Sequence, residues 1–204
     1  MKYAPPSLCL PRDLLTVHQH HIFLGPWHQA YPNAKVLGPE GLPEKRKSQN
    51  NEPVPFAYVF SKDKPLTSID AEFDAEFDYE FVHAHQNKEV VFNHKPTKTL
   101  IQADLLFNYP PTEQFSRTGQ AATSGIFTKL FGAVTNTNSE WQKRLIWYGI
   151  GSKDREGFGR SVAKIDKWDF ERIIPCHGDV MEAGSKGILQ KVMAWHLDLA
   201  KKSS

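Results

Sequence analysis

The chain is short of cysteine. Only Cys9 and Cys176 occur in 204 residues. Two thiols so far apart make no disulfide framework, and free thiols in a reducing compartment are expected. Long apolar runs are missing too, since none approaches the roughly 20 residues a membrane span needs. The opening stretch MKYAPPSLCLPRDLL carries one early lysine, but prolines interrupt its apolar residues, which argues against a secretory signal. An excess of one charge is also absent: 25 basic and 23 acidic residues leave a formal +2. That balance gives no electrostatic basis for binding nucleic acid or an anionic membrane. These absences point to an intracellular, cytoplasmic protein whose partner is a small molecule.

Aromatic residues are plentiful. Thirteen Phe and five Trp within a 40% hydrophobic composition predict a packed interior. The length suits one domain over residues 1–204 rather than two. Residues 1–13, with three prolines, read as an irregular lead-in, and DLLTV (13–17) as a short strand. PWHQAY (26–31) reads as a short helix with its proline in the first turn. AKVLG (34–38) follows as a strand, and the charged, proline-flanked 43–55 as an exposed loop.

The acidic repeat AEFDAEFDYEF (71–81) has two readings, a cation-binding carboxylate cluster or a core-facing element with solvated acids. Phe73, Phe77 and Phe81 at i, i+4 and i+8 favour one helical face. Two β-rich runs around HKPT, within 88–107, predict a hairpin, with Asp104 at the end of its second arm. Residues 109–138 are rich in Thr, Ser and Gly and read as a flexible insertion. Helices are expected over 139–149, capped by Ser139, and over 154–168. A buried strand is expected at 170–175 and a last helix from about Ser185. Hairpin and helices together make the chain α/β.

Imidazoles and one carboxylate fall at expected strand-to-loop junctions: His18, His20 and His21; His83 and His85; Asp104; and His177. Such ligands, projected from loops onto one point, suit zinc or another divalent ion. Any one of these histidines alone is better explained as a hydrogen-bonded structural residue. Cys176, adjacent to His177, is expected to be a small buried residue pointing away from it. Trp27, Trp168 and Trp195 are expected to anchor the core, and His94 and His196 to be surface or packing residues.

Taken in order, HQHHIFLGP (18–26), AHQNKEVVF (84–92), TLIQADLLF (99–107) and IIPCHGD (173–179) resemble the metal-binding motifs of the metallo-β-lactamase-fold superfamily. HHIFLGPW, YPNAK, ADLLFN and WDFERIIPCHGD are similar to a branch of that superfamily found in fungi, plants and bacteria and known as a domain of unknown function. The resemblance covers about residues 14–196 and implies an αββα sandwich. It also implies a metal site drawn from His18, His20, His21, His85, Asp104 and His177, with His18 and His21 as alternatives beside His20.

Two departures from the superfamily pattern stand out. Ile22-Phe23 replaces an Asp-His pair that serves a second metal, so one zinc or similar ion is expected at most. Only 17 residues precede His18, where the superfamily has several strands, so absent N-terminal strands are expected. The sequence thus suggests a metallo-hydrolase-like protein of unknown substrate, or a non-catalytic member of the fold acting as a binding or structural protein, with one divalent metal or none.

Overall fold

A computed structural model describes residues 20–65 and 67–203. The first third forms α1 (Leu24–Ala30), β1 (Val36–Pro39), α2 (Leu42–Ser48), β2 (Phe56–Phe60) and α3 (Ala71–Glu76). Next come β3 (Phe77–Val82), β4 (Glu89–His94), β5 (Thr99–Ile101), α4 (Thr112–Phe115) and α5 (Ile126–Thr135). The chain continues through α6 (Glu140–Leu145), a π-helical turn (Ile146–Ile150), α7 (Arg155–Ile165), β6 (Arg172–Ile174), α8 (Ser185–Val192) and α9 (Ala194–Lys202).

Two sheets result. β1 and β2 pair in parallel, while the second sheet has the order β3-β4-β5-β6. Its first three strands are antiparallel, and β5 and β6 run parallel, as the long helical crossover between them requires. Strand alternation explains the layering. Val91 faces a core shared with Phe158, Val162 and Ile165 of α7 and Leu189 and Val192 of α8. Val90 and Phe92 face the opposite way, onto Leu37 and Phe60 of the first sheet and Phe73 of α3. One face of the larger sheet is therefore covered by helices and the other by the smaller sheet.

Several expected elements are present. α1, β1, the hairpin and the helices at 140–145 and 155–165 lie where the sequence places them. Ser139 Oγ caps α6 at Trp141 N, and Asp154 caps α7 at Gly157 N. The DLLTV strand lies outside the described residues.

Five expectations need correction. The expected loop at 43–55 begins with α2, whose Arg46 is buried and donates to the carbonyls of His21 and Glu52. The helical face through Phe73, Phe77 and Phe81 stops at Glu76, because Phe77–Val82 pairs with all six residues of β4. Ladder pairing overrides the helical period here. Residues 109–138 contain α4 and α5, held by backbone and side-chain bonds that their Thr/Ser/Gly composition does not advertise. Trp27 is 54% exposed and stacks on Tyr31 instead of entering the core. At the sheet edge, β6 buries only Ile173.

Candidate metal centre

The segment carrying Asp104 leaves the sheet after Ile101 and is fixed by buried side chains rather than a strand partner. Glu89, fully buried at the start of β4, accepts from the backbone N–H groups of Ala103 and Asp104 at 2.8 and 2.9 Å. Gln102 Oε1 accepts from Leu105 N and Leu106 N. Gln142 of α6 accepts from Phe107 N at 2.7 Å and donates to the carbonyls of Phe107 and Thr135. Three buried polar side chains therefore do for 103–107 what a neighbouring strand does elsewhere.

His85 belongs to this scaffold. Its Nδ1 accepts from Asn87 N at 3.0 Å, which puts the ring proton on Nε2. Nε2 in turn lies 3.1 Å from the carbonyl of Asp104 and 3.5 Å from Glu89 Oε2. Both ring nitrogens are thus engaged by the protein. Burial pushes the imidazole down to about 4, so it is neutral at physiological pH. Burial likewise pushes Glu89 up to about 8, against the backbone N–H groups that favour its charged form.

The loop after β6 is zipped onto the same segment. Asn108 N donates to His177 O, Asp179 N donates to Asn108 O, and Asn108 Nδ2 donates to Asp179 O at 2.7 Å. Gly178 makes this approach feasible. Its φ is +106°, and a Cβ there would overlap the Asn108 carbonyl. The zipper brings His177 Nε2 to 3.4 Å from Asp104 Oδ1, while His20 Nε2 reaches 3.4 Å from Asp104 Oδ2. Asn87 Nδ2 donates to that second oxygen at 2.7 Å.

Cys176 forms a group with the two imidazoles, while Asp104 stands at its edge and is not among the residues that share this spacing. One ligand atom each from His20, Cys176 and His177 lies within 4.8 Å of the others. The expectation that Cys176 is a buried residue pointing away is therefore wrong: the bend before Gly178 turns both side chains toward one point, and Cys176 is half-buried. Its signal in the sequence was adjacency to His177 in PCHGD, where an extended backbone was assumed.

The six sequence candidates therefore separate. His20, Asp104 and His177 converge. His85 stands behind Asp104 as a bonded scaffold residue. His21 is buried outside the cluster, with its carbonyl accepting from Arg46 at 2.6 Å. His18 lies outside the described residues. His83 pairs with Asp154, and Ile22 and Phe23 are each 67% exposed.

The donors present fit one zinc-class ion. Metal–ligand bonds of about 2.1 Å at tetrahedral angles place ligand atoms about 3.4 Å apart. Each imidazole–carboxylate separation has the length of such an edge, though to a different Asp104 oxygen, and both are long for hydrogen bonds. Two imidazoles, a thiol and a carboxylate are a zinc-type set. Burial pushes Asp104 up, but His20, Asn87 and His177 outweigh it and hold the acid below its usual range. Burial lowers His177, favouring the neutral ring that ligates. Burial and the nearby Asp104 and Glu89 raise Cys176, which remains a thiol until a cation displaces its proton.

No family model matches the sequence, and none of the curated proteins matches it. Among solved structures, a flavoprotein from Thermotoga maritima aligns with TM-score 0.51 at 9% identity, over 85% of this chain. The chain spans 38% of that protein's length. A flavo-diiron protein from the same organism aligns with TM-score 0.49 at 10% identity, over 85% of this chain and 39% of its own. The DIM-1 metallo-β-lactamase aligns with TM-score 0.44 at 11% identity, over 93% of this chain and 68% of its own. At such identities the likeness is one of fold, and the last two alignments carry no argument alone. The mixed α/β fold expected from the sequence is present, and its likeness to the Thermotoga flavoprotein is one of fold.

Proposed function

We propose that the rim formed by His20, Asp104, Cys176 and His177 is a mononuclear divalent-metal site, and that the protein is a metallo-hydrolase-like member of its fold. The observation that carries this reading is the pair of 3.4 Å separations between two imidazoles and one carboxylate. When bound, a zinc-class ion supplies a Lewis acid that polarises a carbonyl and acidifies water. The chain's own residues do the rest. Asn87 fixes the Asp104 carboxylate, Glu89 and His85 fix its backbone, and the Asn108–Gly178 zipper holds His177 opposite it. Phe107 stacks on the His177 ring with centroids 6.1 Å apart and shields that flank from water.

Membership of the fungal, plant and bacterial branch of unknown function is part of the same proposal and rests on the motifs of the sequence. A cytoplasmic location and a small-molecule partner belong to the proposal too, the location resting on cysteine usage and composition. Among the described residues, no helix is long and apolar enough to cross a membrane.

One observation favours a second reading, binding without turnover. Ile22 and Phe23 occupy the positions of an Asp-His pair and both face solvent, so no second ion is served from that loop. Zinc titration of purified, chelator-treated protein tests the metal site itself. The expected result is one zinc per chain, with affinity falling at least the 10–100-fold typical of lost supporting groups in His20→Ala and His177→Ala. Both side chains are partly exposed, so these variants should fold. Zinc binding that neither substitution weakens overturns the site, as does no binding by folded wild type.

A further inference from the structure

Beside the cluster lies a cavity of about 320 Å³, within the range of small-molecule pockets. Its lining is of two kinds. Asp104, Asn87 and His177 contribute polar groups, and Phe107, Tyr109, Phe131 and Ile150 largely apolar surface. Among the described residues that line it there is no Lys or Arg. A pocket built for phosphate or carboxylate carries such groups to offset the desolvation of the anion.

The apolar lining has neighbours outside the cavity. Phe131 meets Tyr109 edge-on with centroids 5.1 Å apart and contacts Phe107 at 6.4 Å. It also belongs to an outward strip of α5, where Ile126, Phe127 and Leu130 are 77%, 83% and 64% exposed. Positions 126, 127, 130 and 131 share one face of the helix. A contiguous apolar strip on a soluble surface marks a contact surface, unlike scattered single residues. Phe131 belongs both to this strip and to the cavity lining, and so links the two.

We infer that the cavity binds an uncharged acyl compound, an ester or amide, with its carbonyl end at Asp104 and His177 and its apolar tail along Phe107, Phe131 and the exposed face of α5. The orientation of the carbonyl end rests on the metal-site reading, whereas the tail channel does not depend on it. An aliphatic tail gains affinity with each methylene it removes from water, about three- to fourfold at full burial. A tail lying on the half-open strip gains less per methylene.

The test is calorimetric titration of chelator-treated full chain with N-butyl-, N-hexyl- and N-octylacetamide and with the matching alkyl phosphates. The amides are expected to tighten about three- to tenfold for every two methylenes added, and to bind more tightly than the phosphates. Phe131→Ala should weaken the whole series, and Leu130→Ser should flatten only its long-chain end. Leu130 is largely exposed, so this variant should keep its fold. Affinity independent of tail length overturns the inference, as does preference for the phosphates without metal. Self-association through α5 that the amides do not compete with also overturns it, because the strip would then belong to a second copy. Repeating the titration with zinc separates the two readings. A tail-length slope in a protein that binds no zinc sinks the metal site alone, and a flat series in a zinc-loaded protein sinks the acyl channel alone.

Discussion

Asn87 Nδ2 donates to Asp104 Oδ2 at 2.7 Å, and the carboxylate so held faces His20 through that oxygen and His177 through the other. Asn87 touches neither imidazole. Its contribution is to fix the carboxylate plane so that both oxygens keep their distances. Asn87→Ala should therefore lower zinc affinity about 10–100-fold while leaving the unfolding midpoint nearly unchanged. Competition titration against a chromophoric chelator, with urea unfolding beside it, checks both halves. Equal zinc affinity in the variant would show that Asn87 does not orient the carboxylate.

Gln142 is fully buried and bonds Phe107 N, Phe107 O and Thr135 O. Gln142→Leu keeps the volume but leaves buried backbone groups unpaired. Each costs about 1–3 kcal/mol, so a loss of about 3 kcal/mol or more is expected in urea unfolding. Faster amide exchange at Phe107 should accompany it. A variant as stable as wild type would mean that water or a shifted backbone replaces the glutamine.

Gly178 is held at φ +106° against the Asn108 carbonyl. Gly178→Ala meets both backbone strain and overlap, each worth about 1–3 kcal/mol. Expected outcomes are a destabilisation of about 2–4 kcal/mol and weakened zinc binding, since His177 moves with the loop. If either stays at the wild-type value, the zipper does not set the position of His177.

His196 is buried against Phe158, Trp147 and Gly151, and burial pushes its imidazole down to about 4. Its unfolded value is about 6.5. Between these values the unfolded chain binds the extra proton, so this residue's stabilising contribution is present above pH 6.5 and is lost as pH falls toward 4. His85 contributes with the same sign. His196→Leu should flatten the stability–pH curve over that window by on the order of 3 kcal/mol. Urea unfolding at half-unit pH steps measures it, and parallel wild-type and variant curves would contradict the burial argument.

The legible parts of this chain were those whose causes are local. Ser139 and the Phe158–Val162–Ile165 spacing announce helices, and Asp104 between apolar runs announces a strand end. The order of His20, Asp104 and His177 pointed to one place, and they meet there. Other features depended on partners distant in sequence. Phe77 and Phe81 join a strand because β4 is available to pair, and α2 forms around an arginine buried beneath His21 and Glu52. His85 looked like a ligand because its type and position fit. Only the fold shows that Asn87 N and the Asp104 carbonyl occupy its two nitrogens. Cys176 departs from expectation for the opposite reason: an extended backbone points it away from His177, and the chain bends at these two residues instead.

The central claim is that His20, Asp104, Cys176 and His177 hold one ion among them, and cobalt substitution tests it most directly. Cobalt(II) added to chelator-treated protein should give the visible absorption of a four-coordinate site with a thiolate-to-metal charge-transfer band in the near ultraviolet. That band should vanish in Cys176→Ser while the visible bands persist at reduced intensity. A folded protein whose cobalt spectrum is that of the free aquated ion, or whose ultraviolet band survives the loss of Cys176, contradicts the account.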